Sequence, residues 1–292
     1  MKKGAIARII IWSLVALLLT ALLISGIFFD FSSFSKSGDW AFGVTGITYK
    51  NADNYTVGGG TVTEEFNGVD IEWTNGSVNI ETYDGESTVI SETQVSDEIN
   101  KLRWLVEDGV LKIHPIAAGM RYGFTKIPTK KLTVKIPTAV ADKLKFVSTD
   151  STSAEISING ITVSDKIEIE TVSGGARLEN VKAPKLDIDT VSGDIRADGE
   201  ITELESESVS GDITVSTTVP LKKLEGDSTS GDITLFLPEN SGFTLETDSV
   251  SGDINCELPT VSEKKNRRVC GDGSGKFKTD TVSGDLFIKI IR

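Results

Sequence analysis

A single histidine, His114, serves the whole chain, so no His-built metal site or Ser-His-Asp arrangement can rest on more than that one residue. Cysteine is nearly as scarce, with only Cys256 and Cys270. Two cysteines make no disulfide framework. A bond between them and two unrelated thiols both remain open, although a compartment outside the cytoplasm would permit the bond. Positive charge is in deficit: Lys and Arg number 30 against 43 Asp and Glu, for a net charge of -13. Such a surface repels nucleic acid and anionic polymers over most of its area. Val57-Gly58-Gly59-Gly60 lacks the Gly-Lys-Ser/Thr of a phosphate-binding loop and reads as a turn. Nothing here calls for a cofactor.

Long apolar runs are also rare, apart from one. Ile9 to Phe29 carries no charge over 21 residues, a length that crosses a bilayer as one helix. Lys2, Lys3 and Arg8 precede it and Asp30 follows, so residues 1–8 are expected in the cytoplasm. A cleaved signal peptide is the competing reading. The run exceeds the usual signal length, and no small-x-small site precedes Asp30, which favours an uncleaved anchor over 9–29. Residues 30–45 then read as a juxtamembrane linker, and everything beyond lies outside the cytoplasm at the cell membrane.

With 28 glycines and 7 prolines, the remainder promises tight turns and no helix beyond the anchor. A short phrase organises it: Val191-Ser192-Gly193-Asp194-Ile195, Val209-Ser210-Gly211-Asp212-Ile213, Thr229-Ser230-Gly231-Asp232-Ile233, Val250-Ser251-Gly252-Asp253-Ile254 and Val282-Ser283-Gly284-Asp285-Leu286. Val172-Ser173-Gly174-Gly175 is an earlier copy, and Thr152-Ser153-Ala154-Glu155-Ile156 a degenerate one. The steps between glycines from Gly174 onward are 19, 18, 20, 21 and 32 residues. A period near twenty marks stacked repeats.

Before each phrase runs an alternating strand such as Leu186-Asp187-Ile188-Asp189-Thr190. The apolar parity flips between Thr190 and Val191, which means a corner, because side chains alternate strictly along a straight strand. Each repeat is therefore two short strands joined at a corner, then a loop back. Neither strand can bury its apolar face alone, whereas stacked rungs share a continuous interior. The expected fold is all-β, a β-solenoid of ~20-residue rungs over 139–292. A β-sandwich of hairpins would not return one phrase at one phase.

Residues 46–138 are strand-like but irregular. Val69–Trp73 and Val78–Thr82 flank Asn75-Gly76, and Leu102–Val106 and Val110–Ile113 flank Asp108-Gly109, both hairpin signals. This region is expected to be antiparallel and to cap the solenoid. At the other end, Leu286 to Arg292 is an apolar strand guarded only by Lys289 and Arg292. That edge either tucks under its own preceding rung or pairs with a partner, which leaves a homo-oligomer through the C-terminal edge open.

Asp194, Asp212, Asp232, Asp253 and Asp285 share one repeat position, so stacking would align them as a ladder. A cation stripe is one reading. The other is local: Ser and Asp bond nearby backbone N–H groups while Gly permits the bend, which explains why the three residue types travel together. The 32-residue step contains Glu263-Lys264-Lys265-Asn266-Arg267-Arg268, expected as a loop whose Lys264, Lys265, Arg267 and Arg268 could contact an anionic partner. Arg121, Lys126, Lys130 and Lys131 form a second basic group. Acids repeat at equivalent positions and do not converge, so catalysis is not expected. The alternatives are a carbohydrate-active enzyme on a β-helix scaffold and a structural spacer.

With the Val-Ser-Gly-Asp-Ile repeats, the alternating run Leu132–Pro137 and the N-terminal anchor, the chain resembles a bacterial family of unknown function with β-strand repeats. Its members are labelled adhesins and often accompany cell-envelope-stress genes. The resemblance runs from about Tyr49 to Arg292 and implies a surface-displayed β-solenoid without catalytic residues. The function expected is a membrane-anchored, extracytoplasmic binding or scaffold module, its partner an envelope component or another membrane protein.

Overall fold

A computed structural model describes residues 40–43, 46–93, 95–119, 128–264 and 266–291. The segments 1–8 and 9–29 lie outside the described residues. Among those described, no helix is long and apolar enough to cross a membrane.

The strands in chain order begin with β1 (Trp40–Gly43), β2 (Gly46–Tyr49), β3 (Thr56–Val57), β4 (Gly60–Val62), β5 (Gly68–Tyr83) and β6 (Thr88–Glu92). Next come β7 (Arg103–Glu107), β8 (Val110–His114) and β9 (Lys130–Pro137). After a one-turn helix α1 (Thr138–Ala141) follow β10 (Phe146–Asn159), β11 (Lys166–Thr171), β12 (Ala176–Thr190), β13 (Ile195–Ser208), β14 (Ile213–Thr217), β15 (Lys223–Ser228) and β16 (Ile233–Leu237). The last group is β17 (Phe243–Ser249), β18 (Ile254–Cys256), β19 (Thr260–Lys264), β20 (Arg267–Cys270), β21 (Gly275–Thr281) and β22 (Leu286–Ile290). The end of the expected linker is thus strand: β1 pairs antiparallel with β2.

The rungs stack in parallel, as the repeats require. On one side of the solenoid β11, the second half of β12, the second half of β13, β15 and β21 lie side by side. On the next side the first halves of β12 and β13 continue into β14, β16 and β22. A short third side is made where Val181, Lys182 and Ala183 of β12 pair with Gly199, Glu200 and Ile201 of β13. The interior is built by register. Val69, Val147, Ile167, Leu186, Leu204, Leu224, Phe277 and Leu245 form one inward column, all nearly inaccessible. Burying each such side chain contributes about 1.5–3 kcal/mol relative to leaving it in water. Near the far end Phe277 and Phe243 stack with centroids 4.2 Å apart.

The corner lies one step later than the sequence suggests. Thr190 and Gly193 both face inward, Val191 is half-buried and Ser192 exposed, so the parity flip falls within Val191-Ser192.

The N-terminal region departs from the expected antiparallel cap. β5 is one continuous strand, not a hairpin, and Asn75-Gly76 is its corner. It pairs parallel with β10 over both halves, aligning Gly76 with Ala154, and parallel with β8 and β9 on its other edge. The solenoid therefore starts before residue 139, and only β6, β7 and the strands β3 and β4 beyond them run antiparallel across its end.

At the C-terminus the strand tucks against its own chain, the first of the two expected outcomes. β22 is no free edge: it pairs with β16 on one side and β18 on the other. The chain builds the outer rung β17/β18 first, turns through the antiparallel hairpin β19/β20, and then inserts β21/β22 between the outer rung and β15/β16. A homo-oligomer formed through a free C-terminal strand loses its structural basis.

Candidate functional site

The repeated aspartates are engaged by the backbone. The Asp194 carboxylate accepts from the N–H of Asp212 at 3.0 Å, Asp212 from Asp232 at 2.9 Å, Asp232 from Asp285 at 2.8 Å, and Asp285 from Asp253 at 2.7 Å. Each serine hydroxyl donates across to a neighbouring rung, as Ser210 does to the Val191 carbonyl at 3.1 Å and Ser251 to that of Val282 at 3.0 Å. A third polar position escaped the sequence reading. The residue three before each glycine turns inward and closes the corner: the Thr190 hydroxyl accepts from Gly193 N–H at 2.9 Å and donates to its carbonyl at 3.0 Å. Thr171 makes both bonds to Gly174, Ser208, Ser228 and Ser249 donate to the carbonyl of their corner glycines, and Thr281 instead donates to the Ser249 hydroxyl. Its signal was present as a Thr or Ser at every such position. Among the described residues no group of three potential ligands is placed to hold a metal.

A denser carboxylate column lies on the outer surface of the first side, where Asp150, Glu170, Asp189, Glu207, Asp227 and Asp280 occupy one register position. Rungs are about 4.8 Å apart, so these charges repel along the stack. Lost hydration and then the Glu170 charge raise Asp150, which hydrogen-bonds Glu170, so the pair holds a proton. Lost hydration and then Glu207 and Glu170 push Asp189 up to about 7. Asp189 nonetheless has surface open to water, so the like charges are the more secure cause. The neighbouring columns neutralise each other, as in Lys185 with Asp187 at 2.8 Å and with Glu205 at 2.6 Å.

The outer surface of the second side is different. A groove of about 790 Å³ crosses the rungs there, bounded by Arg177, Arg196, Asp198, Phe236, Glu257 and Lys289 among others. Arg177 and Arg196 are neighbours in register, as are Phe236 and Lys289. Lys289 Nζ lies 5.5 Å from the Phe236 ring centre and 5.2 Å from that of Phe287. Arg177 is joined to Glu179, whereas Arg196 has no hydrogen-bond or ion-pair partner among the described residues. Arg177 and Arg196 also line a second depression along the corner, with Ser173, Ser192 and Asp194. Sequence reading missed this groove because its residues come from six different rungs.

The basic clusters are largely neutralised. Lys264 ends β19 while Arg267 and Arg268 open β20, so these three sit on paired hairpin strands and not on a loop. Arg268 meets Glu263 at 2.7 Å and Arg267 reaches Glu246 at 3.9 Å, while Lys265 lies outside the described residues. In the other cluster Lys130 is buried, bound to Glu92 at 2.9 Å and to the Asn100 carbonyl at 2.7 Å; Arg121 and Lys126 lie outside the described residues. His114 is buried too. Its Nδ1 is 2.8 Å from Glu72, its Nε2 3.2 Å from the Tyr55 hydroxyl, and Tyr49 stacks on its ring at 4.0 Å. Burial raises both tyrosines, Tyr49 to about 12, so the phenols stay protonated and tie the N-terminal end together.

Parallel rungs, a corner ladder and two chemically distinct outer faces define an all-β repeat solenoid. Toastrack DUF4097 matches residues 68–205 and 99–289, and the chain belongs to that family. Among solved structures, a candidate adhesin from Bacteroides fragilis shares 17% identity over 81% of this chain and 97% of its own, with a TM-score of 0.50. A cell adhesion candidate from Clostridium sporogenes gives 13%, 81%, 100% and 0.38, and a lipid-binding candidate from Parabacteroides distasonis 18%, 80%, 97% and 0.40. At these identities the likeness concerns the fold. Curated proteins return no match.

Proposed function

We propose that this chain is a non-enzymatic binding module, tethered to the cell membrane by residues 9–29 and presented outside the cytoplasm, that engages an extended, hydroxyl-rich envelope polymer bearing anionic groups. The groove on the second side carries this reading. It sets an uncommitted guanidinium, Arg196, beside hydroxyls of Thr214 and Ser216 and the Phe236 ring. Arginine suits carboxylate or phosphate, and an aromatic ring suits a sugar face. From Arg177 to Lys289 the groove crosses rungs at about 4.8 Å each, which matches a long chain better than a compact metabolite. Its location on an otherwise acidic protein would confine such a ligand to one face.

The test is binding of purified envelope glycan to the soluble repeat region by calorimetry. Arg196→Ala with Phe236→Ala should weaken binding at least tenfold, and Lys264→Ala with Arg267→Ala should leave it unchanged. Equal binding by both variants would reject the groove. Placement is tested separately by external protease on intact cells without an outer-membrane barrier. Digestion of the repeats is expected, and full protection would reject the topology.

A further inference from the structure

The two cysteines of the chain come together at the one place where the repeat is broken. Cys256 ends β18 and Cys270 ends β20, 14 positions apart, and their sulfurs lie 3.7 Å from each other as free thiols. Cys270 is fully buried and Cys256 half-buried. Both strands lie at this end of the solenoid: among the described residues β18 is held only by β22, and β20 lies antiparallel between β17 and β19. The sulfurs thus face each other across the junction of the two sides, where neither side has a further parallel rung. The hairpin strand β19 is exposed along its whole length and, among the described residues, pairs only with β20.

We propose that Cys256 and Cys270 are the site of an intramolecular disulfide that fastens the terminal hairpin to the last rung. Bond formation closes the gap from 3.7 Å to the bond length of about 2.05 Å. The oxidant is an organic disulfide, either a small one or that of an oxidoreductase. The Cys256 thiolate, the more accessible of the two, attacks one sulfur of the oxidant and releases its first thiol. The Cys270 thiolate then attacks the Cys256 sulfur of the mixed disulfide and releases the second. Two protein thiols are oxidised, one disulfide is reduced, and the two protons lost from the protein end on the released thiols.

The gain is greatest here because repeat proteins fray from their ends. The bond closes a loop that contains the entire hairpin, and so restricts the unfolded form of the least supported segment. Burial, and then the neighbouring Cys270, push the Cys256 thiol up to about 11. Thiolate is therefore rare at neutral pH. The bond should form slowly and then persist, as a fastening rather than a rapid sensor.

The full chain, reduced and then incubated with oxidised glutathione, should lose about 2 Da by intact mass as both thiols become untitratable after denaturation. Its formation rate should rise close to tenfold per pH unit between about pH 7 and pH 10. Dithiothreitol should lower the melting temperature by roughly 5–10 °C and speed protease cleavage within Thr260–Arg268. The Cys256→Ser, Cys270→Ser double variant should show neither response to dithiothreitol. Thiols that stay titratable after oxidation, or oxidation only to disulfide-linked dimers, would overturn the proposal; a rate flat with pH would overturn the exchange route through Cys256.

Discussion

Glycine recurs in the phrase because the rungs touch backbone to backbone at the corner. A Cβ at Gly211 would stand 2.2 Å from the Gly193 carbonyl oxygen, and one at Gly231 would stand 2.1 Å from that of Gly211. Neither neighbour is a flexible side chain, so Gly211→Ala must displace a corner. The expected cost is about 2–4 kcal/mol, read from urea unfolding of the repeat region. A change below about 0.5 kcal/mol would mean that the corners are looser than this geometry. Ala154 occupies the same register position, next to Gly76 of β5, within the continuous strand β10. A second residue-level case runs the other way. Thr149 faces the interior, 1% exposed, and its hydroxyl has no partner among the described residues. Thr149→Val keeps the shape and removes the stranded hydroxyl, so stability should rise by about 1 kcal/mol in the same measurement.

At the scale of the strand, outward charge decides how stability varies with pH. Asp150, Glu170, Asp189, Glu207 and Asp227 all have raised pKa values in the folded chain, each for lost hydration first and then, for all but Glu170, a neighbouring carboxylate. A raised folded value means the folded state binds more protons than the unfolded state between the two values. Stability is then fully present below the unfolded carboxylate range near 4 and is lost as pH rises through the folded values. The melting temperature should therefore climb as pH falls from about 8 to about 5, and Glu170→Gln should flatten that climb. A melting temperature that falls over the same interval would contradict the column. Each unit of upward shift relieved returns about 1.4 kcal/mol, less for the members open to water. Lowered carboxylates such as Glu205, hydrogen-bonded to Lys185, act oppositely and only at lower pH. Each of these acids is legible in the sequence as the polar half of an alternating strand. Their alignment is not, since it follows from register, and only the Ser-Gly-Asp aspartates carry a repeated phrase that marks them as aligned.

At the scale of the molecule, both ends of the solenoid are finished by the same device. At one end β6 and β7 run antiparallel outside β8 and β9, which the chain inserts next to β5 on its return. At the other, β21 and β22 slip inside the earlier-built β17 and β18. The regular middle was legible because one phrase returns at one phase. The insertion was not, because sequence distance gives no sign that a later rung lies nearer the centre than an earlier one; the 32-residue step marked only that something interrupts. The consequence can be measured. Parallel rungs support only their neighbours, so an end rung should be dispensable and an inner one should not. Deleting residues 275–292 removes an inner rung, leaving Leu224 without Phe277 and Ile233 without Leu286. Phe243, Leu245 and Ile254 lose their support as well. Protease should then digest the deleted chain back to about Leu237, and hydrogen exchange should quicken throughout β17 to β20 while β11 to β13 stay protected. A deletion that frays nothing beyond the missing strands would instead place β22 at the edge, and would remove the reason for the hairpin to fold back over β17.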